Sequence, residues 1–199
     1  MRQLSSLVAM ALLSLNSQAA APTAEKPTKS PESLDAKFVG TWKGECLTDE
    51  YEDEDVPAQD FFVVTPKAFT QHSFAFVGRK TCDTPSLMTL LEFKLEAGAK
   101  SPKGEQKVKT ISSRIQIKAL NVKAAIELSK RKECDFAHWQ IGEFHECSNH
   151  EPYKSLMKGR PFEMVLRIVD GKFFYQTVDE DGISEEVEEF SPVKEIPWR

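Results

Sequence analysis

Residues 38–46 read FVGTWKGEC, and this stretch decides the fold. Apolar or small residues alternate in it with mostly polar ones, and a period of two is typical of a strand that buries one face. The buried face carries Trp42 between Gly40 and Gly44. Glycines on an inner face leave space or let a strand bend sharply, as strands do at the corner of a barrel. We therefore expect residues 38–46 to form a half-buried, bent strand.

Further alternating or apolar runs recur at near-regular spacing along the chain. Turn residues separate them, and Asp170-Gly171 between two apolar runs is the favoured two-residue hairpin turn. Two polar stretches, Leu47–Ala58 and Glu96–Gln106, are predicted to be loops. We predict strands over Gln59–Thr65, Ala68–Val77, Ser86–Leu95, Lys107–Ala119, Phe136–Phe144, Phe162–Val169, Lys172–Val178 and Val187–Val193.

One segment has helical periodicity. Asn121 is a suitable N-cap, and the apolar residues that follow it recur at helical spacing. The helix is predicted to end at Lys130–Lys132, whose cations suit the helix dipole. One helix in the second half, among eight to ten strands, indicates a mainly β fold. Closure into an antiparallel barrel of about eight strands removes exposed sheet edges, and a barrel of that size holds one small ligand or is filled by its own side chains.

The first residues have the order of a secretory signal peptide. Arg2 precedes the apolar run Leu4–Leu15, and small residues follow it. We predict a signal peptide over residues 1–19, a flexible proline-rich linker over 20–35 and a single barrel domain over 36–199. The alternative is a buried N-terminal helix. No later segment has 18 consecutive apolar residues, so we expect a soluble exported protein, periplasmic or secreted, without a transmembrane anchor.

Four cysteines lie in the predicted domain, at positions 46, 82, 134 and 147. An even number of cysteines in an exported protein indicates two disulfides, which three different pairings satisfy. We favour Cys46–Cys82 and Cys134–Cys147, because the members of each pair lie at the ends of neighbouring segments.

A metal site is the alternative for the second pair. Five side chains of the kinds that bind zinc lie close together in sequence, namely Cys134, His138, His145, Cys147 and His150. Their spacings match no standard zinc finger, and thiols in an oxidising compartment tend to pair with each other. We therefore expect neither a metal nor a cofactor.

Composition narrows the class of partner. The chain has 13 Phe against 3 Tyr and 3 Trp, and large apolar rings favour pleated sheets and the pockets that they enclose. Lys and Arg total 26 against 31 Asp and Glu, a formal charge of -5. A nucleic-acid binder is more often basic, so we expect no nucleic-acid partner. The acidic run Asp49–Asp55 is the strongest local charge feature.

The stretch around Trp42 resembles the Gly-x-Trp motif that begins the first barrel strand of lipocalins and related calycins. Together with Cys46 and the segment TCDTPSL around Cys82, it is similar to the lipocalin-like barrels of exported bacterial proteins. It also resembles the extracellular barrel of the adenomatosis-polyposis-coli-down-regulated Wnt antagonist. The resemblance covers residues 36–194 and implies a Cys46–Cys82 disulfide. In that pattern a basic residue covers the motif tryptophan, and Arg167, Lys172 and Lys194 all remain candidates for it here.

The leading functional hypothesis is a non-catalytic binding protein. The chain has no nucleophile elbow, no zinc-protease motif and no phosphate or dinucleotide loop. A small apolar or amphipathic ligand is expected inside the barrel, with His72 or Arg167 as a polar anchor. The candidate lining residues are Trp42, Phe62, His72, Phe74, Phe76, Leu91, Phe93, Ile115, Leu166, Arg167 and Phe174. The alternative for each of these residues is an ordinary core position in a barrel whose interior is filled by its own side chains.

Two other functions remain open. The barrel can be a rigid interaction scaffold whose acidic loop, residues 49–55, contacts a basic protein partner. Binding of that kind weakens at high salt, whereas capture of an apolar ligand hardly changes. An enzyme on the same barrel is the third hypothesis, with His72 as its base, and we do not expect it.

Overall fold

The computed structural model describes residues 33–49, 56–151, 153–157, 161–179, 182–183 and 188–198. Helices α1 (Val122–Arg131) and α2 (Tyr153–Met157) lie along the chain between the fifth and seventh strands. The described strands are β1 (Gly40–Asp49), β2 (Val56–Val64), β3 (Ala68–Ala75), β4 (Leu87–Lys100), β5 (Gln106–Ala119), β6 (Phe144–Glu146), β7 (Phe162–Val169), β8 (Lys172–Asp179), β9 (Gly182–Ile183) and β10 (Glu188–Val193).

Eight of these strands close into an antiparallel barrel. Strands β1 to β5 pair in chain order, then β5 pairs with β7, β7 with β8 and β8 with β10. The ring closes because β10 also pairs with β1, with Trp42 opposite Pro192. Strands β6 and β9 are short additions on β5 and β8. The predicted fold, a closed antiparallel barrel of about eight strands with one longer helix in the second half, is confirmed.

The strand register decides which side chains point into the barrel, because directly paired residues of neighbouring strands share a face. Phe62 on β2 pairs with Gln71 on β3, which pairs with Leu91 on β4. Leu91 pairs in turn with Ile115 on β5, and Phe62 pairs with Trp42 on β1. This inward row borders the main aromatic core. Inward and outward positions alternate from it along the strands, except at the register shifts of β1 against β2 and of β4 against β5.

Aromatic side chains fill the lower half of the barrel, which we define as the half nearer the β2–β3 and β7–β8 turns. Trp42 stacks on Phe173 with ring centroids 5.3 Å apart, and Phe62 meets Phe190 edge to face at 4.6 Å. Gly44 provides the room for Phe190, since a Cβ there would lie 2.8 Å from the ring. The lower half is therefore a packed core.

A short 3-10 turn, Ala36–Phe38, closes the base below this core. The indole Nε1 of Trp42 donates a hydrogen bond to the carbonyl of Phe38 at 3.1 Å. Phe38 itself is fully buried and meets Phe173 edge to face at 6.4 Å. The tryptophan of the predicted motif thus holds the base turn against the first strand, with its polar atom satisfied.

Gln106 anchors the chain that precedes this turn. It is fully buried, and its side-chain carbonyl accepts a hydrogen bond from the backbone of Asp35 at 2.9 Å. Its amide nitrogen donates to the carbonyl of Ser33 at 3.2 Å, and Leu34 is buried in the lower core. Residues 33–35, which the sequence analysis places in the flexible linker, are therefore part of the folded barrel.

Both disulfides predicted from the sequence are confirmed. Cys46 is bonded to Cys82, which joins β1 to the β3–β4 connection, and Cys134 is bonded to Cys147. The second bond takes up two of the five side chains on which the zinc alternative is based.

The predicted helix is also confirmed. It begins after Asn121, whose side chain accepts a hydrogen bond from the backbone of Ala124 at 2.9 Å, and it ends at Arg131. Lys132 follows in a left-handed conformation that stops the helix.

Three secondary-structure predictions are wrong in part. No strand spans Phe136–Phe144: Cys134 and Asp135 adopt left-handed backbone angles, and β6 begins only at Phe144. Most of Glu96–Gln106 is strand, because β4 runs to Lys100 and β5 begins at Gln106. The loop expected at Leu47–Ala58 is shorter at both ends, since β1 continues to Asp49 and β2 begins at Val56.

A second apolar core lies on the outside of the barrel. The chain after β10 crosses the outer face of β2 and β3, where Trp198 contacts Phe74 at 5.2 Å and Phe76 at 5.5 Å between ring centroids. Ile196 is buried in the same cluster together with Phe61. Part of the sheet is therefore buried on both faces, so its outward side chains are as apolar as its inward ones.

Candidate functional site

A belt of polar side chains lines the inside of the barrel above the aromatic core. Asp60 pairs with Ser73 across β2 and β3, and Gln71 lies one inward position below Ser73. The amide nitrogen of Gln71 donates to Asp60 Oδ2 at 2.7 Å and to Ser73 Oγ at 3.2 Å. Thr89 on β4, paired with Ser73, extends the belt. We call these four residues the polar belt.

The polar belt is more accessible to solvent than the outer face of the same strands. Asp60, Gln71 and Ser73 point inward, yet each is only half-buried. Their outward neighbours His72 and Phe74 are at most 3% exposed, because the outer core covers them. Since the belt faces the barrel axis, its accessible area lies on the inner side of the wall. Hydrogen-bonding side chains of the inner wall thus keep part of their surface accessible, whereas the side chains of the lower half are packed.

The floor under the polar belt is apolar. Phe62 contacts Tyr175 edge to face with 5.5 Å between the ring centroids. Leu91 is half-buried and packs against the main core, as Tyr175 does. The inner wall therefore carries hydrogen-bonding groups above aromatic and aliphatic surface.

The connection between β5 and β7 packs against the upper end of the barrel, where its cluster includes Ala75 of β3 and Leu87 of β4. Ile115 and Ile117, both inward on β5, pack in one cluster with Leu128 of α1 and Tyr153 of α2. The disulfide Cys134–Cys147 belongs to this cluster and ties the connection together. The upper end of the barrel thus packs against a stapled helical insert.

Tyr153 carries the largest electrostatic perturbation in this insert. Its ring is 4% exposed and its hydroxyl donates to Glu133 Oε1 at 3.2 Å. Burial first, and then the negative charge of Glu133, raise the pKa of the Tyr153 phenol well above its ordinary value. The phenol therefore stays neutral at physiological pH and acts as a hydrogen-bond donor.

Six of the predicted lining residues do share the barrel interior. The register and the cores place them in two groups, the lower aromatic core and the row around Leu91 that bounds the floor. They are Trp42, Phe62, Leu91, Phe93, Ile115 and Leu166.

The other five predicted residues lie outside the barrel, which corrects their assignment to the lining. His72 pairs with outward Phe61 and Leu90, while Phe74 and Phe76 belong to the outer core. Arg167 and Phe174 pair on the outer face, with the guanidinium 5.4 Å from the ring centroid. The polar anchors proposed from sequence, His72 and Arg167, therefore do not face a ligand inside the barrel.

Sequence reasoning missed the polar belt, although one signal for it was present. In the segment QDFFVVT, Asp60 and Phe62 are two residues apart and so share a face of β2. Placing Phe62 inside implies that Asp60 also points inside. Gln71 and Ser73 are likewise two residues apart and share the inward face of β3. Taking Phe74 and Phe76 as the inward residues selects the outward face instead.

The structure also bears on the basic residue expected over the motif tryptophan. Arg167 lies over Phe174, and Lys172 forms an ion pair with Glu189. The face of Trp42 is instead stacked against Phe173, at 24° between the ring planes. An aromatic ring thus covers one face of Trp42.

Several sequence-based expectations fall on residues outside the described part of the chain. The signal peptide at 1–19 and most of the linker at 20–35 are among them, as are residues 50–55 of the acidic run. Within the described ranges, no three His, Cys, Asp or Glu side chains come together as a metal-binding group. Neither described helix is long and apolar enough to cross a bilayer.

Comparison of the chain with known proteins adds no assignment to this geometry. No protein-family model matches the chain, and no curated protein matches it. The closed eight-stranded antiparallel barrel is compatible with the lipocalin-like fold that the resemblance implies.

Proposed function

We propose that this protein is an exported, non-catalytic binding protein that holds a small apolar or amphipathic ligand in the upper half of its barrel. The observation that carries the proposal is the half-buried polar belt above an aromatic floor. A packed structural barrel has no reason to keep accessible hydrogen-bonding side chains on its inner wall. Two disulfides in the domain suit an oxidising, extracytoplasmic compartment.

The two layers of the site favour a ligand with an apolar body and a polar end. Each 100 Å² of apolar ligand surface buried against Phe62, Leu91 and Tyr175 contributes about 2.5 kcal/mol. Hydrogen bonds to Gln71 or Ser73 orient the polar end and add selectivity rather than most of the affinity. Binding that rests on buried apolar area depends weakly on ionic strength.

Native mass spectrometry of the protein purified from its own host is the first test. We expect a retained small molecule that dissociates on unfolding. In parallel, the environment-sensitive dye 1-anilinonaphthalene-8-sulfonate should bind the folded protein with enhanced fluorescence, and binding should change little at high salt.

A matched pair of variants locates the site. Thr89→Trp fills the polar belt from β4, and we expect it to weaken dye binding at least tenfold. Lys94→Trp places the same ring on the exposed outer face of β4 and should leave binding unchanged. Thermal unfolding of both variants checks that they fold. Equal binding by folded Thr89→Trp and wild type contradicts the proposal, and a salt-sensitive protein partner without any retained small molecule favours the scaffold instead.

A further inference from the structure

Exposed apolar side chains are concentrated in one segment of this protein. Eight large apolar side chains are exposed among the described residues, and five of them lie between positions 122 and 144. The five are Val122, Ile126, Phe136, Ile141 and Phe144. The other three, Val39, Leu47 and Val169, lie on separate parts of the barrel. This concentration marks a surface rather than scattered exposure.

Three of these side chains border an open groove beside α1. Val122 is 61% exposed, Ile126 48% and Ile141 53%, and Trp139 is buried among them. The groove has a volume of about 480 Å³ and is lined otherwise by Ala125, Ser129 and Lys130. Helix α1 therefore presents one apolar side to the barrel, through Leu128, and a second apolar side to solvent. We call this second side, formed by Val122, Ile126 and the neighbouring Ile141, the α1 face.

The segment that carries the α1 face is basic in an acidic protein. Residues 118–132, KALNVKAAIELSKRK, contain five cations and one acid, a net charge of +4, whereas the whole chain has -5. The single acid, Glu127, pairs with Lys130 at 2.9 Å. Lys118 is only 8% exposed, with its Nζ 4.5 Å from the ring centroid of Phe144. The exposed cations of the segment are Lys123, Lys130, Arg131 and Lys132.

Two acids follow the cations at the end of α1: Glu133 is hydrogen-bonded inside the insert, and Asp135 is exposed. Glu133 accepts the hydroxyl of buried Tyr153, and Asp135 lies 3.3 Å from His150. Lys130, Arg131 and Lys132 thus form a run of cations at the end of the α1 face.

We propose that the α1 face binds the surface of an anionic phospholipid bilayer. An amphipathic helix with exposed aliphatic residues and flanking lysines lies in the interfacial plane, and its cations are attracted by anionic headgroups. Val122, Ile126 and Ile141 enter the boundary between headgroups and acyl chains. Lys130, Arg131 and Lys132 contact the phosphates. This inference stands apart from the proposed ligand site.

Vesicle co-sedimentation of the mature protein tests the proposal. We expect binding to vesicles of phosphatidylcholine mixed with phosphatidylglycerol at low salt, much weaker binding at high salt, and little binding to pure phosphatidylcholine. Replacing the three cations in Lys130→Gln/Arg131→Gln/Lys132→Gln should weaken partitioning on the order of 100-fold, given about fivefold per basic residue. Val122→Ser/Ile126→Ser should weaken it on the order of tenfold or more through lost apolar burial.

Two control variants change the same residue types elsewhere. Val39→Ser/Val169→Ser removes exposed apolar side chains, and Lys94→Gln/Lys107→Gln/Lys109→Gln removes exposed cations on β4 and β5. Both should bind vesicles like the wild type, as should Thr89→Trp, so failure of the ligand proposal does not affect this result. Circular dichroism and thermal unfolding confirm folding.

Three outcomes overturn the proposal. One is the absence of binding to anionic vesicles at low salt. Another is an equal loss of binding in the control variants. The third is self-association of the lipid-free protein that Val122→Ser/Ile126→Ser abolishes, because the α1 face is then an interface between two copies of this chain.

Discussion

Two buried polar side chains, Gln106 and Tyr153, have structural roles that their residue type alone does not reveal. Gln106 looks like an ordinary polar residue at the start of a strand, yet it is fully buried and bonds the backbone at Asp35, Ser33 and Gly98. Tyr153 is buried against Glu133, which gives the phenol a fixed acceptor. In both cases a polar group is tolerated inside because its hydrogen bonds are made within the fold.

Tyr153 makes alkaline stability a measurable property of the insert. Its pKa is raised in the folded state, so below the unfolded value of about 10 the phenol is neutral in both states and stability does not depend on it. Above that pH the unfolded chain releases the proton first, and the free energy of unfolding falls by up to about 1.4 kcal/mol per pH unit. We expect Tyr153→Phe to lose this part of the pH dependence. Urea unfolding between about pH 8 and pH 11, a range that brackets the ordinary tyrosine pKa of about 10, measures it.

The ultraviolet absorbance of tyrosinate measures the ionisation of Tyr153 independently. One tyrosine of the wild type should ionise only as the protein unfolds, and Tyr153→Phe should remove that step. If all tyrosines of the folded protein ionise together near their ordinary pKa, burial of Tyr153 is contradicted.

Prediction from sequence succeeds for residues whose chemical type determines their role. It fails for residues whose role depends on which face of the sheet they occupy. Trp42, the cysteines and Asn121 take their expected places because an indole, a thiol and a capping amide have few alternatives. His72 and Phe74 were assigned to the wrong side of β3. The outer core buries that side with residues from the chain terminus, and alternation alone does not distinguish two buried faces.

At the scale of elements, the segment after β10 is the least expected part of the fold. It has no regular secondary structure, yet Trp198 contacts three phenylalanines of the outer core: Phe61, Phe74 and Phe76. Aromatic contacts of this kind stabilise beyond the apolar area that they bury.

We expect Trp198→Ala to lower the free energy of unfolding by about 3 kcal/mol, because it uncovers the outer face of β2 and β3. Urea unfolding measures the change. Lys194→Ala in the same segment, which is exposed, should stay within about 0.5 kcal/mol of the wild type. A Trp198→Ala protein as stable as the wild type means that this segment does not hold the outer core together.

Element prediction depends on how strongly local pattern competes with tertiary contacts. The hairpin of β7 and β8 and helix α1 have local signals, an Asp-Gly turn and an Asn cap, and both were predicted well. Residues Phe136–Phe144 have a strand-like composition but follow two left-handed residues beside a disulfide, which turns the chain before a strand can form. The polar run Glu96–Gln106 becomes strand because pairing between β4 and β5 extends it.

The whole molecule is held by a closed sheet and two covalent links of different reach. The Cys46–Cys82 bond spans 36 residues within the barrel wall, and Cys134–Cys147 spans 13 residues within the insert. Because the cost of an open loop grows with its length, the first bond restricts the unfolded chain more than the second.

We expect Cys46→Ser/Cys82→Ser to lower the free energy of unfolding by about 4 kcal/mol and Cys134→Ser/Cys147→Ser by about 3 kcal/mol from chain entropy. The second variant should lose the near-ultraviolet circular dichroism of Trp139, which packs in the same cluster, while the β-sheet signal stays. Loss of the β-sheet signal in that variant would show instead that the barrel cannot form without a stapled insert.

The sequence predicts that a candidate site lies inside a barrel, but it does not predict which residues form that site. Composition and strand spacing indicate a barrel, and a barrel indicates an interior that can hold a ligand. Which half is packed depends on how the aromatic side chains meet across eight strands, and Trp42 with Phe173 brings together residues 131 positions apart. Pairings of that range leave no trace in a local pattern.

The contact between β1 and β10 has a consequence for how the protein is made. Thr41 lies opposite Val193, so the ring is completed by the first and the last of the described strands. During synthesis, every intermediate that lacks β10 has two unpaired sheet edges with free backbone donors and acceptors, which favour association with other chains. Such a polypeptide depends on rapid completion of β10, or on a chaperone that holds the incomplete sheet, to reach the native state before it aggregates.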